Sequence, residues 1–530
     1  MMTARVVDML ALLVLLATAA AQSANVQPRL PAFNRAAGRE NPLRGWTSAP
    51  LWTSPEDQLT TLTATTEYYY ISLHQLMTKT NNVYDFSGMD TNLEPLLAGS
   101  ASRNKHAIIR VICVYPGEAQ FKVPQFLVDG GLQMVAYTDD EGSMKGQSGQ
   151  APNWADENLI LAFEALIAEL GRRYDDDNRV GFVQAGLLGM WGEWHTAPHS
   201  ALDPAGPNNN PQMWIPDATK TRLANAYAAA FTTTKVMMRY PADVQRAQKP
   251  AGTFGYHDDS FARYTLSGAP NGGVETEWHF WPSAIAASQQ TFWRTNVMGG
   301  EVRPELQPDI FNEDYPAGEE EKQDFDLCAR TTHTSQMLNA HAFSDGYTGT
   351  ALGKARASGD KLGYAFVVSS ITYTPASQGT TAVTVTVTQK GIAPFYYPLS
   401  LKLSCAGQSD ATVTGVQAII DEGDSRAFSF SLPAEASCLS AVSVGLLQTA
   451  KAYTGRPVKF AQGVDGTVVV DLSAAITATA DGSLTIDWTD TTLEDAAWST
   501  GYSKTSSAAS SWAQLSWLVQ LAAVVVGYWL

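Results

Sequence analysis

The chain has 530 residues, enough for one large domain and a smaller one, with the apolar and charged content of an ordinary globular protein. It carries 35 Lys and Arg against 52 Asp and Glu, a formal net charge of −17. A charge of that sign repels phosphate backbones and argues against a nucleic-acid partner.

The first element in chain order is a targeting segment. Arg5 precedes an almost wholly apolar stretch from Met9 to Ala20, and Ala19-Ala20-Ala21 offers a small-residue cleavage site. The stretch is shorter than a membrane span needs, so residues 1–21 read as a secretion signal outside the fold.

Between residues 40 and 362 eight short strand-like runs alternate with longer stretches, several of helical periodicity. The runs are Arg44 to Thr47, Tyr68 to His74, Ala107 to Tyr115, Val180 to Trp191, Lys235 to Tyr240, Thr253 to His257, Asn296 to Gly300 and Met337 to Phe343. Nearly continuous apolar runs suit a parallel sheet covered on both faces. Asp156 to Tyr174 places Leu159, Phe163, Leu166, Ile167 and Leu170 on one helical face. Asp217 reads as the N-cap of a second helix, and Glu319 to Met337 reads as a third. Strand and helix in this alternation predict an α/β fold, a (β/α)8 TIM barrel.

After Gly363 the pattern changes to period two, clearest in Thr381 to Thr388. Leu399 to Ser404, Ala427 to Leu432, Val442 to Leu447 and Val468 to Leu472 follow, punctuated by Gly, Pro, Asp and Ser. Residues 363–490 therefore read as an antiparallel β-sandwich, expected to pack on the barrel as a structural lid, with carbohydrate binding as the alternative. Residues 491–511 are Ser/Thr-rich and read as a stalk. Residues 512–530 form an apolar tail, without Lys, Arg, Asp or Glu, behind the small residues Ser506 to Ser511. That is the pattern of a GPI-attachment signal, with a retained anchor as the alternative, and it is the one expected link to a membrane. There is no Asn-x-Ser/Thr sequon. Cys405 and Cys438 both lie in the strand-rich region, where an extracellular setting permits a disulfide. Cys113 and Cys328 read as buried thiols, and without a Cys-x-x-Cys pair a thiolate zinc site is not expected.

In a TIM barrel the chemistry sits at the C-terminal ends of the strands. The fourth run leads into Trp191-Gly192-Glu193-Trp194-His195, and the seventh into Gly299-Gly300-Glu301. Two carboxyls across a barrel mouth suit glycoside hydrolysis, one to protonate the leaving oxygen and one to attack or to activate water. Flanking rings would raise Glu193 as an acid requires, while an arginine such as Arg44, Arg110 or Arg303 would keep Glu301 ionised as a nucleophile. Glu275, Glu277 and Glu305 compete for the second role. Trp46, His74, Trp191, Trp194, His195, Tyr240, His257, Asp258 and His341 are the expected carbohydrate-binding residues. The histidines after the even strands, with Asp258 and Asp259, could hold a metal. Hydrogen bonding to substrate hydroxyls is preferred, because the first strand supplies Gly45-Trp46-Thr47 and no His-x-His pair. No Gly-x-Ser-x-Gly elbow, P-loop or His-Glu-x-x-His occurs, and no cofactor is expected.

The blocks Asn41-Pro42-Leu43-Arg44-Gly45-Trp46, Gly186 to His195 and Gly299-Gly300-Glu301 resemble a family of secreted microbial proteins built from two adjoining domains of unknown function. A more distant resemblance is to the clan A glycoside hydrolases, which are TIM barrels. It implies an acid/base at Glu193 and a nucleophile at Glu301, hence a retaining glycosidase; Gly192 departs from the Asn that clan carries before its acid/base. A non-catalytic glycan-binding barrel and a metal-dependent hydrolase are the alternatives.

Overall fold

The computed structural model describes residues 30–487 except 51–57, 80–82, 98–102, 119–121, 139–145, 200–209, 268–278, 319–320, 376–379, 434–435, 449–450, 452–457, 471 and 473–483. The expected secretion signal, the expected stalk and the apolar C-terminal segment lie outside the described residues, as do Glu275 and Glu277. Among the described residues no helix is long and apolar enough to cross a membrane.

Eight strands form a closed barrel: β1 (Gly45–Ser48), β2 (Ala64–Ser72), β3 (His106–Ile112), β4 (Val180–Gln184), β5 (Lys235–Met238), β6 (Gly255–Phe261), β7 (Met298–Val302) and β8 (Gln336–Leu338). Each pairs in parallel with its sequence neighbours, and β8 closes on β1. A helix follows every strand from the second onward: α1 (Ser87–Leu97), α2 (Glu157–Tyr174), α3 (Asp217–Ala230), α4 (Pro241–Arg246), α5 (Phe280–Ala286), α6 (Phe325–Thr332) and α7 (Gly349–Lys361).

The helix signals act as their chemistry dictates. Asp156 caps α2 by accepting from the Leu159 amide, and Leu159, Phe163, Leu166, Ile167 and Leu170 are buried against the barrel. Asp217 is not the cap of α3. Pro216 occupies that position and Asp217 begins the first turn, where its charge still faces the helix dipole favourably. The helix expected from Glu319 to Met337 contracts to α6, capped by Asp324 and ended by His333 in the left-handed conformation at φ 55°. The fourth strand stops at Gln184, because Leu187 and Gly189 turn to positive φ before Trp191. The eighth begins at Gln336, and His341–Phe343 is a 3-10 turn.

The C-terminal region is an antiparallel sandwich of β9 (Phe366–Pro375), β10 (Thr380–Gln389), β11 (Leu399–Ser404), β12 (Ala411–Thr414), β13 (Ser425–Pro433), β14 (Val442–Gln448), β15 (Val468–Val470) and β16 (Leu484–Asp487). One sheet runs β13-β10-β9-β16 and the other β12-β11-β14-β15. Val383, Val385 and Val387 point inward from β10, the consequence of its period-two pattern. Cys405 and Cys438 are disulfide-bonded across 33 residues, and Cys113 and Cys328 are buried thiols.

The sandwich packs on the N-terminal end of the barrel. The Tyr397 hydroxyl donates to Gly181 O at 2.6 Å, and Lys451 Nζ donates to Asp177 O at 2.7 Å, both beside the start of β4. His333 Nδ1, ahead of β8, lies 2.7 Å from Ile392 O. One apolar core joins Tyr68, Ile108, Phe182 and Met237 to Val383, Val385, Leu399 and Leu401. The sandwich is therefore a floor to the barrel, and the C-terminal mouth lies at the other end.

Candidate active site

Strand parity decides which side chains enter the barrel. On β3, Ile109 and Val111 join the core shared with the helices, while Ile108 and Arg110 point inward. On β6, Tyr256 packs outward against Phe280 and Phe292, and His257 and Asp259 share the inner face.

Arg110 is the hub of the interior. It is 1% exposed, and Nε donates to Gln184 Oε1 at 2.7 Å. Nη1 reaches the Tyr70 hydroxyl and Trp191 O at 3.3 Å and Glu193 Oε1 at 3.5 Å. Nη2 lies 2.5 Å from Asp259 Oδ2 and 2.9 Å from His257 Nδ1. The guanidinium, carried by β3, thus gathers groups from β2, β4, β6 and the loop after β4.

That loop is tightly knit. Leu187, Trp191 and Trp194 adopt φ of 74°, 51° and 63°, and Gly189 and Gly192 adopt 76° and 71°. Non-glycine residues at such angles cost of order 1–3 kcal/mol each and survive only where surrounding bonds over-determine them. Here Met190 N donates to His195 O at 2.8 Å, Trp194 N to Leu188 O at 2.9 Å, and Trp191 N to Val114 O at 3.0 Å. Gly192 is explained by the path: its φ disfavours any L side chain, and a Cβ would stand 3.3 Å from Val111 O. The result alternates burial, with Trp194 inward to the core and Glu193 out to the mouth.

Glu193 is 14% exposed and has three cationic or donor neighbours: Arg110, Arg239 Nε at 3.5 Å and His195 Nε2 at 3.4 Å. His195 Nδ1 accepts from the Ala197 amide at 3.1 Å, so Nε2 carries the proton and donates to Glu193. Burial and the Asp259 charge push the Glu193 carboxyl up, but His195 and Arg110 outweigh them and hold it below the ordinary carboxylate value. Glu301, across the mouth on β7, is in the opposite condition. Burial first, then the charges of Asp259 and Glu193, raise it to about 8, against opposition from Arg110 and from Gln307, which donates to its Oε1 at 3.0 Å. The expected order, a raised Glu193 and an ionised Glu301, is inverted. The rings beside Glu193 do not set its charge state; His195 and Arg110 do. Asp259, buried beside Arg110 and His257, is held well below its ordinary value despite the burial that opposes its charge.

Of the three arginines considered, Arg110 senses both glutamates. Arg44 is buried and donates to Gly38 O, Asp360 O and Leu362 O, and Arg303 pairs with Glu305 at 2.6 Å. That pairing also explains why Glu305 is not the second carboxyl.

The structure gathers Glu193, His195, His257 and Glu301, with Trp191 and Tyr240 at the rim; their rings lie 6.1 and 6.3 Å from that of His195. Other expected binding residues lie elsewhere. Trp46 is 2% exposed in the barrel–helix layer, its Nε1 donating to Ala355 O at 3.0 Å. Parity sends Thr47, not Trp46, inward, where it bonds Thr66 and Gln336. Trp194 is fully buried and bonds Ala185 O at 2.8 Å. Asp258 is one register off the inner face. It accepts from Thr265 Oγ1 and the Ser260 amide and lies 3.4 Å from Arg239, behind the mouth. His74 is the second residue of a short helix, Leu73–Leu76, after β2, its amide bonded to Lys122 O. His341 lies 3.5 Å from Asp345, and its amide bonds Gln307, one step from Glu301. Sequence reasoning named Asp259 only as a possible metal ligand, not as the partner of Arg110, and missed Arg239, Tyr70 and Gln307. The i, i+2 spacing from His257 was the signal for Asp259.

Among the described residues no group of three His, Cys, Asp or Glu is arranged to hold a metal. His257 Nδ1 and Asp259 Oδ2 lie 3.0 Å apart, and Arg110 Nη2 is bonded to both.

No family model and no curated protein matches the chain. Solved structures similar to it include a GH3 β-glucosidase of Bifidobacterium adolescentis at 12% identity, covering 84% of this chain and 52% of that one, TM-score 0.14. A β-glucosidase of Erythrobacter marinus is 10% identical over 87% of this chain and 49% of that one, TM-score 0.16. A β-glucosidase of Listeria innocua in complex with glucose is 10% identical over 81% and 47%, TM-score 0.13. The chain spans about half the length of each. All three neighbours are glycoside hydrolases, and overlap at this level carries no functional information.

Proposed function

We propose that the chain is a retaining glycoside hydrolase acting on an extracellular or cell-wall glycan, with Glu301 as acid/base and Glu193 as nucleophile. The observation that carries the reading is the pair of unlike carboxyls in one mouth, Glu193 held low by His195 and Arg110 and Glu301 raised to about 8. Glu301 gives its proton to the glycosidic oxygen as the bond to the anomeric carbon breaks. Glu193 attacks that carbon and forms a glycosyl-enzyme. Glu301, now ionised, takes a proton from water, which displaces Glu193 and releases the sugar. Half-buried Trp191 offers ring surface to the sugar.

The test compares wild type, Glu193→Gln and Glu301→Gln on a polysaccharide panel. Wild type is expected to release reducing ends, each variant about a thousandfold less, and the first-formed anomer, read by proton NMR, to keep the substrate's configuration. No release by wild type, with all three proteins binding glycan equally, would overturn the enzyme reading in favour of a glycan-binding barrel.

A further inference from the structure

A cavity of about 490 Å³ opens between the end of β3 and a hairpin of Met134–Thr138 and Ser148–Pro152 inserted before α2. Its volume is that of a small-molecule site. The hairpin is no part of the barrel sheet.

The groove adjoins the mouth on two sides. On one, Val114 O accepts from the Trp191 amide, and the Tyr115 ring stands edge-on to Tyr70 at 6.1 Å. Tyr70 in turn bonds Arg110, which holds Glu193. On the other, Tyr137 of the hairpin packs against His199 at 5.5 Å, just past His195. Tyr137 lies across its cross-strand partner Gly149, where a Cβ would strike its hydroxyl.

The lining specifies the ligand. Tyr115 and Tyr137 supply aromatic surface, and exposed Ser148 and Gln150 supply hydroxyl and amide groups. The charges at hand, Glu118 and Lys122, form an ion pair with each other. A wall with rings and neutral polar groups but no net charge suits a neutral hydroxylated ring.

We propose that this groove is a second glycan subsite, holding a neutral sugar unit next to the one at Glu193, so that the substrate is an oligosaccharide or a longer chain. The inference rests on the glycosidase reading for its purpose but not for its test. The probes are aryl mono- and trisaccharide glycosides of the cellulose, xylan and chitin series. The variants are Ser148→Trp, which fills the groove from an exposed position, and Tyr137→Ala.

In both variants the ratio of kcat/KM for the trisaccharide to that for the monosaccharide is expected to fall at least tenfold for the series that wild type cleaves. An unchanged ratio in Ser148→Trp would overturn the subsite. Should wild type cleave none of the glycosides, the glycosidase reading fails separately, and titration calorimetry decides the groove. A trisaccharide bound by wild type and lost in Ser148→Trp upholds it, and no binding by wild type, or equal binding by both proteins, overturns it.

Discussion

The Arg110 guanidinium meets the Asp259 carboxylate at 2.5 Å inside the barrel, where the two side chains are 1% and 6% exposed. Such a pair adds little stability by itself, but removing one member strands a buried charge. Arg110→Met is therefore expected to cost about 3–5 kcal/mol in urea denaturation. Adding Asp259→Asn to that variant is expected to restore part of the loss, with a coupling of about 1–3 kcal/mol in a double-mutant cycle. Additive losses would mean that Arg110 matters through packing alone.

Glu301 couples stability to pH. Its folded value, about 8, stands above the ordinary 4.5, so the fold favours the protonated form. Its contribution is full below pH 4.5 and is lost as pH rises toward 8. Glu301→Gln is expected to stabilise the protein by about 2 kcal/mol near pH 8.5, a figure discounted from the full shift because the side chain is partly open to water. Near pH 4 the gain should vanish. Thermal unfolding at the two pH values checks it, and a gain of equal size at both would contradict the protonated Glu301.

The barrel was legible because parallel strands covered on both faces must be apolar runs, and those at β3 and β4 are. The place of Glu193 and Glu301 followed from where such strands end. Two errors came from parity: Trp46 and Asp258 each neighbour an inward residue, Thr47 and Asp259, and a one-residue shift turns a side chain to the other face. The charge states were not legible, because Arg110 stands 83 residues from Glu193 in sequence. Burial raises Glu193, as its flanking rings suggested, yet the His195 hydrogen bond and the Arg110 charge delivered from β3 reverse the outcome.

Gly192 adopts φ of 71°, with little room for a side chain. Asn tolerates the left-handed region better than Ala, and Ala better than a β-branched residue. Stability is expected to fall in the order Gly, Asn, Ala, Val, with Ala costing about 1–2 kcal/mol. Thermal melts of the three variants give the order, and Val at least as stable as Asn would contradict the loop's path.

Trp46 separates structure from binding. Trp46→Phe removes the bond to Ala355 O and part of the contact with Phe311 and Phe325. A loss of about 1–3 kcal/mol is expected, with kcat/KM on any cleaved glycoside within about twofold of wild type. Trp191→Ala, at the rim, is expected to do the reverse. A large change in KM with Trp46→Phe would return Trp46 to the sugar site.

The chemistry proposed for the mouth depends on which glutamate holds the proton. Carbon-13 NMR of carboxyl-labelled glutamate, assigned with Glu193→Gln and Glu301→Gln, reads this directly. The Glu301 signal is expected to titrate near pH 8 and the Glu193 signal below the ordinary carboxylate range, leaving one proton between them at neutral pH. A Glu193 that titrates above Glu301 would contradict the assignment of Glu301 as acid and Glu193 as nucleophile.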